Sequence, residues 1–217
     1  MNKILKYSII LLMVVFAFNA CQDDYLTDGG VCESETSLTV YDYLNTNRYH
    51  MFDSLIVIID SLKLKDTINS TGTFFAPNDY NIKLYLDVKT TELKALVGID
   101  TVYSFNSLLK DPALASDFIL QYALKDKITL QDDATIAGIE YTNLAGSVIT
   151  VKKIKTDDEA YYQYTDDPVY FLYYCKEGKE KERCQTTDIV TQNGNGTVLH
   201  ALNNGHIFNR FTVESGD

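Results

Sequence analysis

The 217-residue chain lacks an apolar stretch long enough to cross a bilayer: its first run, Ile9 to Phe18, falls well short of the roughly 20 residues a membrane helix needs. Basic residues are in the minority, with 19 Lys and Arg against 30 Asp and Glu and a formal charge of −11. Such a chain repels phosphate backbones and anionic headgroups, which argues against nucleic acid as a partner and against purely electrostatic membrane binding. Cysteine is scarce as well, with four in all. No two of them have zinc spacing, and His50, His200 and His206 are scattered with no carboxylates grouped around them, so neither a metal nor a cofactor is expected. The G-x-S-x-G elbow, the G-x-x-x-x-G-K loop and the H-E-x-x-H pair are all missing. Asp23-Asp24 and Asp132-Asp133 are adjacent acids, and neighbours on a strand face opposite sides, so neither makes an acid–base pair by spacing. With no catalytic signature in view, the chain is expected not to be an enzyme; an extracellular hydrolase is the least favoured alternative.

What is present begins with the first 24 residues. Lys3 and Lys6 precede the apolar run, and small Ala20 follows it, the order of a signal peptide with its cleavage site. Phe18-Asn19-Ala20-Cys21 resembles a bacterial lipobox, although Phe18 and Asn19 stand where Leu and Ala or Ser are usual. The resemblance implies cleavage before Cys21, a diacylglycerol on its thiol and an acylated amine. Each buried methylene contributes about 0.8 kcal/mol, so several chains on one residue hold firmly where one holds marginally. An ordinary signal peptide with a chance cysteine is the alternative. Gln22-Asp23-Asp24 resembles the acidic export signal that follows the lipidated cysteine in some Gram-negative lineages. The expected location is therefore the outer membrane, lipid-anchored and facing the exterior; a solvated tether is the competing reading.

The organisation read from the sequence is a signal peptide over 1–20, a flexible polar tether over 21–37, and one domain over 38–214. Helical periodicity starts near Thr39 with Val40, Tyr43 and Leu44 on one face, and resumes with Phe52, Leu55, Ile56 and Ile59. A short strand, Thr73–Ala76, stops at Pro77, and Asn78 is a good N-cap for the helix carrying Ile82, Tyr85 and Leu86. A further helix is predicted over 112–124, with Pro112 in its first turn. From Lys127 the period changes to two. Strands are predicted at Ile128–Leu130, Ile139–Tyr141, Val148–Ile154, Val169–Tyr174, Ile189–Val190, Val198–Leu202 and Ile207–Phe211. Helices first and strands after predict an α+β fold. Cys175 and Cys184 flank a charged hairpin tip around Gly178. They are expected to form a disulfide in an oxidising compartment, with two reduced thiols as the alternative; Cys32 is left over.

Two segments resemble the signatures of the fasciclin (FAS1) domain. Thr73-Phe74-Phe75-Ala76-Pro77-Asn78-Asp79 is similar to the first, and Asn195-Gly196-Thr197-Val198-Leu199-His200-Ala201-Leu202 to the second, with one extra residue before the histidine. The resemblance spans roughly Thr39 to Val213. It implies a wedge-shaped β-sandwich with helices packed around it, used for adhesion or extracellular binding. It also implies structural roles for Phe75, Ala76, Pro77, Asn78, Asn195, Gly196 and His200. Three departures stand out. Ala123 follows Tyr122 where the family often has Tyr-His, Leu202 replaces an acidic residue, and extra sequence runs from Thr156 to Asp167.

That extra segment, part of an acidic, Tyr-rich hairpin insertion near 156–184, is the candidate binding surface. Tyr161, Tyr162 and Tyr164 offer flat faces with hydroxyl tips, and Asp157 and Asp158 offer carboxylates to sugar hydroxyls or a cation. The plainer alternative is a solvated hairpin shielding a sheet edge. Asp53-Ser54-Leu55, Asp60-Ser61-Leu62, Asp66-Thr67-Ile68 and Asp100-Thr101-Val102 resemble an O-glycosylation pattern of exported proteins. The function expected is adhesion or binding of a protein or glycan at the cell surface. The alternative is a non-catalytic accessory subunit of an outer-membrane transporter complex for nutrient uptake.

Overall fold

The computed structural model describes residues 34–98, 100–162, 165, 167–176 and 179–210. Within them the chain is α+β. In order come α1 (Val40–Asn45), α2 (Asp53–Ser61), α3 (Lys65–Asn69), β1 (Thr73–Ala76), α4 (Asp79–Val97), α5 (Phe105–Lys110), α6 (Asp117–Leu120), β2 (Ala123–Leu124), β3 (Ile139–Thr142), β4 (Val148–Lys155), β5 (Tyr170–Lys176), β6 (Lys181–Val190) and β7 (Val198–Leu202). Local chemistry explains the helix starts. Thr39 accepts the Asp42 N–H at 3.1 Å to open α1. Asn78 and Asn81 cap α4 reciprocally, and Ser104 and Ser107 do the same for α5. No helix among the described residues is long and apolar enough to cross a membrane.

All seven strands join one sheet in the order β2-β1-β7-β6-β5-β4-β3. Only β1 and β7 run parallel; the other pairs are antiparallel. The sheet curls until its ends meet. Leu124 bridges Asn143, just past β3, and the Leu144 N–H donates to Ala123 O at 2.9 Å. The result is nearly a barrel. Its inside is marked by Phe75, which lies edge-on to Tyr174 at 5.1 Å although two strands separate β1 from β5. The opposite face of β1 and β7 carries Phe74 and Leu199, both buried, and Leu199 lines a cleft together with residues of the helical layer.

Several predicted elements take other forms. The helix over 112–124 shrinks to α6, because Gln121–Leu124 is drawn into the sheet: the Phe75 N–H donates to Tyr122 O at 2.9 Å, and Thr73 pairs with Leu124. The strand at Ile128–Leu130 is absent. Side chains satisfy its backbone instead: Thr73 Oγ1 accepts the Ile128 N–H and Asp188 Oδ1 the Leu130 N–H. Residues 207–210 form a tight turn with an Ile207–Arg210 bridge, and Phe211 lies outside the described residues. The predicted Ile189–Val190 strand is the end of the ten-residue β6. β5 alternates, with Leu172 and Tyr174 buried and Phe171 and Tyr173 half-buried, so it is covered on one face only. Residues 34–37, read as the end of the tether, run beside β6: Glu35 bridges Val190, and the Asn193 N–H donates to Thr36 O. The signal peptide and the rest of the tether lie outside the described residues.

Candidate functional site

The two signature segments become neighbouring strands, with Phe75 opposite His200 and Ala76 opposite Ala201. Phe75, Ala76, Pro77 and Asn78 are all buried. The Asn78 side chain makes four hydrogen bonds. Its Oδ1 accepts the Tyr80 and Asn81 N–H groups, and its Nδ2 donates to Leu202 O and to Asn204 Oδ1. Gly196 is buried in the turn before β7, where a Cβ would overlap Thr191 Oγ1 and lie 2.9 Å from its carbonyl oxygen. Asn195 is exposed, and its carbonyl accepts from Lys127 Nζ at 2.9 Å.

His200 is fully buried and stacks at a tilt on Phe75 at 5.0 Å. β6 shifts register at Thr186 and again before Ile189, so Thr187 and Asp188 bulge out of the ladder opposite it. Asp188 sits at φ +60, and its N–H donates to His200 Nδ1 at 3.1 Å. That acceptor role puts the ring proton on Nε2, which donates to Ile128 O at 2.8 Å. Burial pushes the pKa of His200 down to about 4, so the ring is neutral and serves as a two-ended clamp.

A second imidazole faces Tyr122. The phenol oxygen lies 2.6 Å from His206 Nε2 and accepts the Asn209 N–H at 2.9 Å. On the far side, His206 Nδ1 lies 3.0 Å from Glu182 Oε2. Carboxylate, imidazole and phenol in line could pass a proton. Here Tyr122 is sealed from solvent, and burial holds its hydroxyl well above the usual tyrosine range, so the chain of groups is internal. It ties the segment after β7 to the segment before β2. Asn81 reinforces it by donating to Asn203 O and His206 O, both at 2.8 Å. Ala123 itself is buried in β2; the imidazole beside Tyr122 comes from 84 residues downstream. No spacing in the sequence announces that pairing.

The candidate Tyr-rich surface is partly self-occupied. A 3-10 turn spans Glu159–Tyr161, with Asp158 Oδ1 accepting the Ala160 N–H at 3.0 Å. Tyr161 lies edge-on to Phe171 at 5.1 Å, and the Tyr162 hydroxyl donates to Thr156 O. Asp157 is exposed. Tyr164 and the lipidation candidate Cys21 lie outside the described residues, as does Cys32. The expected disulfide is not formed in the structure: Cys175 and Cys184 are not bridged to each other. Cys175 pairs with Lys181 and Tyr173 with Arg183, so Cys184 falls three positions along the strand from Cys175, about 10 Å. Cys184 is also buried, whereas Cys175 alternates with the inward Tyr174. Of the four glycosylation-like sites, the first three fall in or at the ends of α2 and α3, with Leu55 and Ile68 fully buried. Asp100-Thr101-Val102 lies between α4 and α5, with Val102 exposed. Among the described residues no group of three His, Cys, Asp or Glu could hold a metal ion.

A cleft of about 240 Å³ opens between residues 43–52 and the outer faces of β6 and β7. Phe52 and Leu199, both buried, form its floor; Tyr43 and Met51 are half-buried walls; Tyr49 stands at the rim, 64% exposed. Gln185 and Thr186, at the first register shift of β6, supply polar groups. Among the described residues no charged side chain lines it, although the Arg48 guanidinium lies 4.5 Å over the Tyr49 ring at the rim. The contributors come from four separated segments, residues 43–52, Asn78, 185–189 and 199–202, which is why no local pattern marks them.

No family model matches this chain, and no curated protein matches it either. Among solved structures, the chain is similar to a FAS1 domain pair from the insect cell adhesion molecule fasciclin I, with 10% identity and a TM-score of 0.47. The match covers 76% of this chain and 49% of that one, so this chain spans about half its length.

Proposed function

We propose that the protein is a cell-envelope lipoprotein whose FAS1-like domain makes contacts at the outer surface with a protein or glycan and carries out no turnover. The observation that carries the anchoring half is the order Lys3-Lys6, Ile9–Phe18, Ala20-Cys21, Gln22-Asp23-Asp24. The contact half is supported by how the buried polar groups are used. His200, His206, Tyr122, Asn78 and Asn81 all bind backbone or one another inside the fold. Catalysis needs a nucleophile or base that substrate can reach, and these side chains are committed to holding strands and turns.

The test combines fatty-acid labelling with protease treatment of intact cells. Wild type is expected to take up label, partition with membranes and be digested from outside, while Cys21→Ser loses label and membrane partitioning. Unchanged partitioning and processing in Cys21→Ser would overturn the anchor. Hydrolysis of a polysaccharide or peptide by the purified chain would overturn the contact role.

A further inference from the structure

We propose that the open edge of β3 is a docking site for one extended, basic peptide segment of a partner protein, which adds to the sheet as a further strand. This deepens the contact role above and rests on it.

The edge is left by the way the sheet closes. Leu124 and Asn143 bridge at the seam, but past Leu124 the chain turns away from β3. Asp126 O accepts the Thr73 hydroxyl at 2.7 Å, and the Ile128 and Leu130 N–H groups go to the Thr73 and Asp188 side chains. A slot of about 550 Å³ remains, with Lys125 and Asp126 on one side and residues 140–144 on the other. In an antiparallel ladder successive residues point their N–H and carbonyl groups alternately at the partner strand and away from it. The Asn143 N–H donates to Ser147 O at 3.0 Å, in the register that sets Tyr141 opposite Ile149 and Ile139 opposite Val151. Ile139 and Tyr141 therefore bond to β4, and Glu140 and Thr142 face the slot. Leu144, two residues on, keeps the alternation by donating to Ala123 O across the seam. Glu140 and Thr142 are exposed, and their N–H groups meet no acceptor among the described residues.

Side chains specify the occupant. Ile149 and Val151 are buried, yet the residues opposite them are incompletely covered: Tyr141 is half-buried and Ile139 is 37% exposed. An added strand with apolar residues at alternate positions would cover both. Its remaining side chains would lie beside Glu140. Among the described residues that line the slot, Asp126 and Glu140 are acidic and Lys125 is basic. Burial, then Asp133 and Asp126, push the Tyr141 hydroxyl above its usual range, so the local field is negative, as is the chain at −11. A cation beside Glu140 is therefore favoured, and a like charge directly opposite is not. The slot has a wall on each side, which suits a single strand. A second copy would bring its own Lys125–Asp126 wall along with its β3 edge, so a free segment fits better. On such an edge, main-chain bonds supply affinity and alternate side chains supply specificity.

The probe is a capped hexapeptide of alternating lysine and valine. The full chain, labelled with nitrogen-15 and held in detergent, is kept at about 0.15 M salt to screen distant charges. Peptide is added to about 1 mM, roughly ten times a Kd of about 100 μM. Binding is expected to saturate. At saturation the Glu140 and Thr142 amides are expected to exchange with deuterium about tenfold more slowly, while the Tyr141 amide, already bonded to β4, is unchanged. The same peptide N-methylated at every amide keeps its charges but donates no backbone hydrogen bond, and is expected to bind about tenfold more weakly. Glu140→Lys is expected to weaken lysine–valine binding about fivefold and to favour a glutamate–valine peptide instead. Asp87→Lys, the same charge change on α4, is expected to bind as wild type does. The proposal is overturned by unchanged exchange at Glu140 and Thr142, by equal binding of the methylated peptide, or by equal affinities of Glu140→Lys and Asp87→Lys. It is also overturned if the same amides gain protection with protein concentration before peptide is added, which would give the edge to a second copy. None of these outcomes touches the lipid-labelling result, so the two readings fail separately.

Discussion

The Asp188 N–H donates to His200 Nδ1 at 3.1 Å, with Asp188 held at φ +60 in a bulge of β6 and His200 fully buried in β7. The Asp188 carboxylate in turn accepts the Leu130 N–H at 2.8 Å, and His200 Nε2 donates to Ile128 O at 2.8 Å. Together the two residues replace a missing piece of β-ladder. They bind the strandless segment 128–130 to the sheet through side chains.

The clamp makes stability depend on pH in a definable window. The folded-state pKa of His200 is about 4 against 6.5 for the free side chain. Between those values the unfolded chain binds the proton and the folded one does not. Stability contributed by neutral His200 is thus full above pH 6.5 and is lost progressively as pH falls to about 4, by about 3 kcal/mol. Asp188 opposes this, since burial raises its pKa above 3.8, and it gains protons in the folded state first. Urea midpoints measured from pH 7.5 to 4.5 are expected to fall for wild type. They are expected to fall less steeply for His200→Gln, from a lower starting value. Parallel slopes in the two proteins would assign the acid sensitivity elsewhere.

Tyr122→Phe is expected to destabilise the fold by about 1–3 kcal/mol, because it removes the phenol that His206 and Asn209 both use inside the core. Hydrogen exchange separates this from a general loss of packing. The Asn209 and Phe208 amides are expected to exchange faster while those of β4 and β5 keep their protection, since the phenol holds the segment after β7. Uniform acceleration throughout the domain would contradict that local role.

Several periodic signals in the sequence end in the elements they predict. Thr73–Ala76, Val148–Lys155 and Val198–Leu202 are strands, and Asn78 caps α4. Each of these is set by residues near one another in the chain. The failures share a different cause. Residues 128–130 alternate like a strand but take their partners from Thr73, Asp188 and His200, residues as far as 72 positions away. Tyr122 looks helical until β1 claims its carbonyl. The cleft beside β6 and β7 draws on residues 43–52, Asn78, 185–189 and 199–202. Its chemistry exists only after the curl of the sheet has brought them together, so local pattern could not show it.

Gly72 tests the tightest point of that curl. Its N–H donates to Leu124 O at 2.9 Å, and its carbonyl accepts from the Val198 N–H at 2.8 Å. A Cβ there would overlap the Lys125 carbonyl oxygen and the Asp126 backbone. Backbone cannot swing aside as a side chain can, so Gly72→Ala is expected to cost about 3 kcal/mol and lower the melting temperature by roughly 10 °C. Gly146→Ala is the comparison. Nothing lies within 4 Å of its Cβ, and only the strain of φ +84 remains, a cost of about 1 kcal/mol. Equal losses in the two variants would mean that close approach at Gly72 is not the limiting contact.

The thiol state of Cys184 tests the sheet register itself. A bridge to Cys175 would require the two Cα atoms to lie within about 7 Å, and the pairing of Cys175 with Lys181 separates them along the strand. Burial also holds the Cys184 thiol well above its usual range, so little reactive thiolate exists in the folded protein. Iodoacetamide applied to the native, air-exposed protein is expected to leave Cys184 unmodified. The same reagent in urea, with no reductant present, is expected to alkylate it fully, as read by peptide mass. If labelling in urea appeared only after reductant was added, Cys184 would be bridged. If peptide mass then identified Cys175 as the partner, the β5–β6 register would have to slip, and with it the alternation that puts Leu172 and Tyr174 inside.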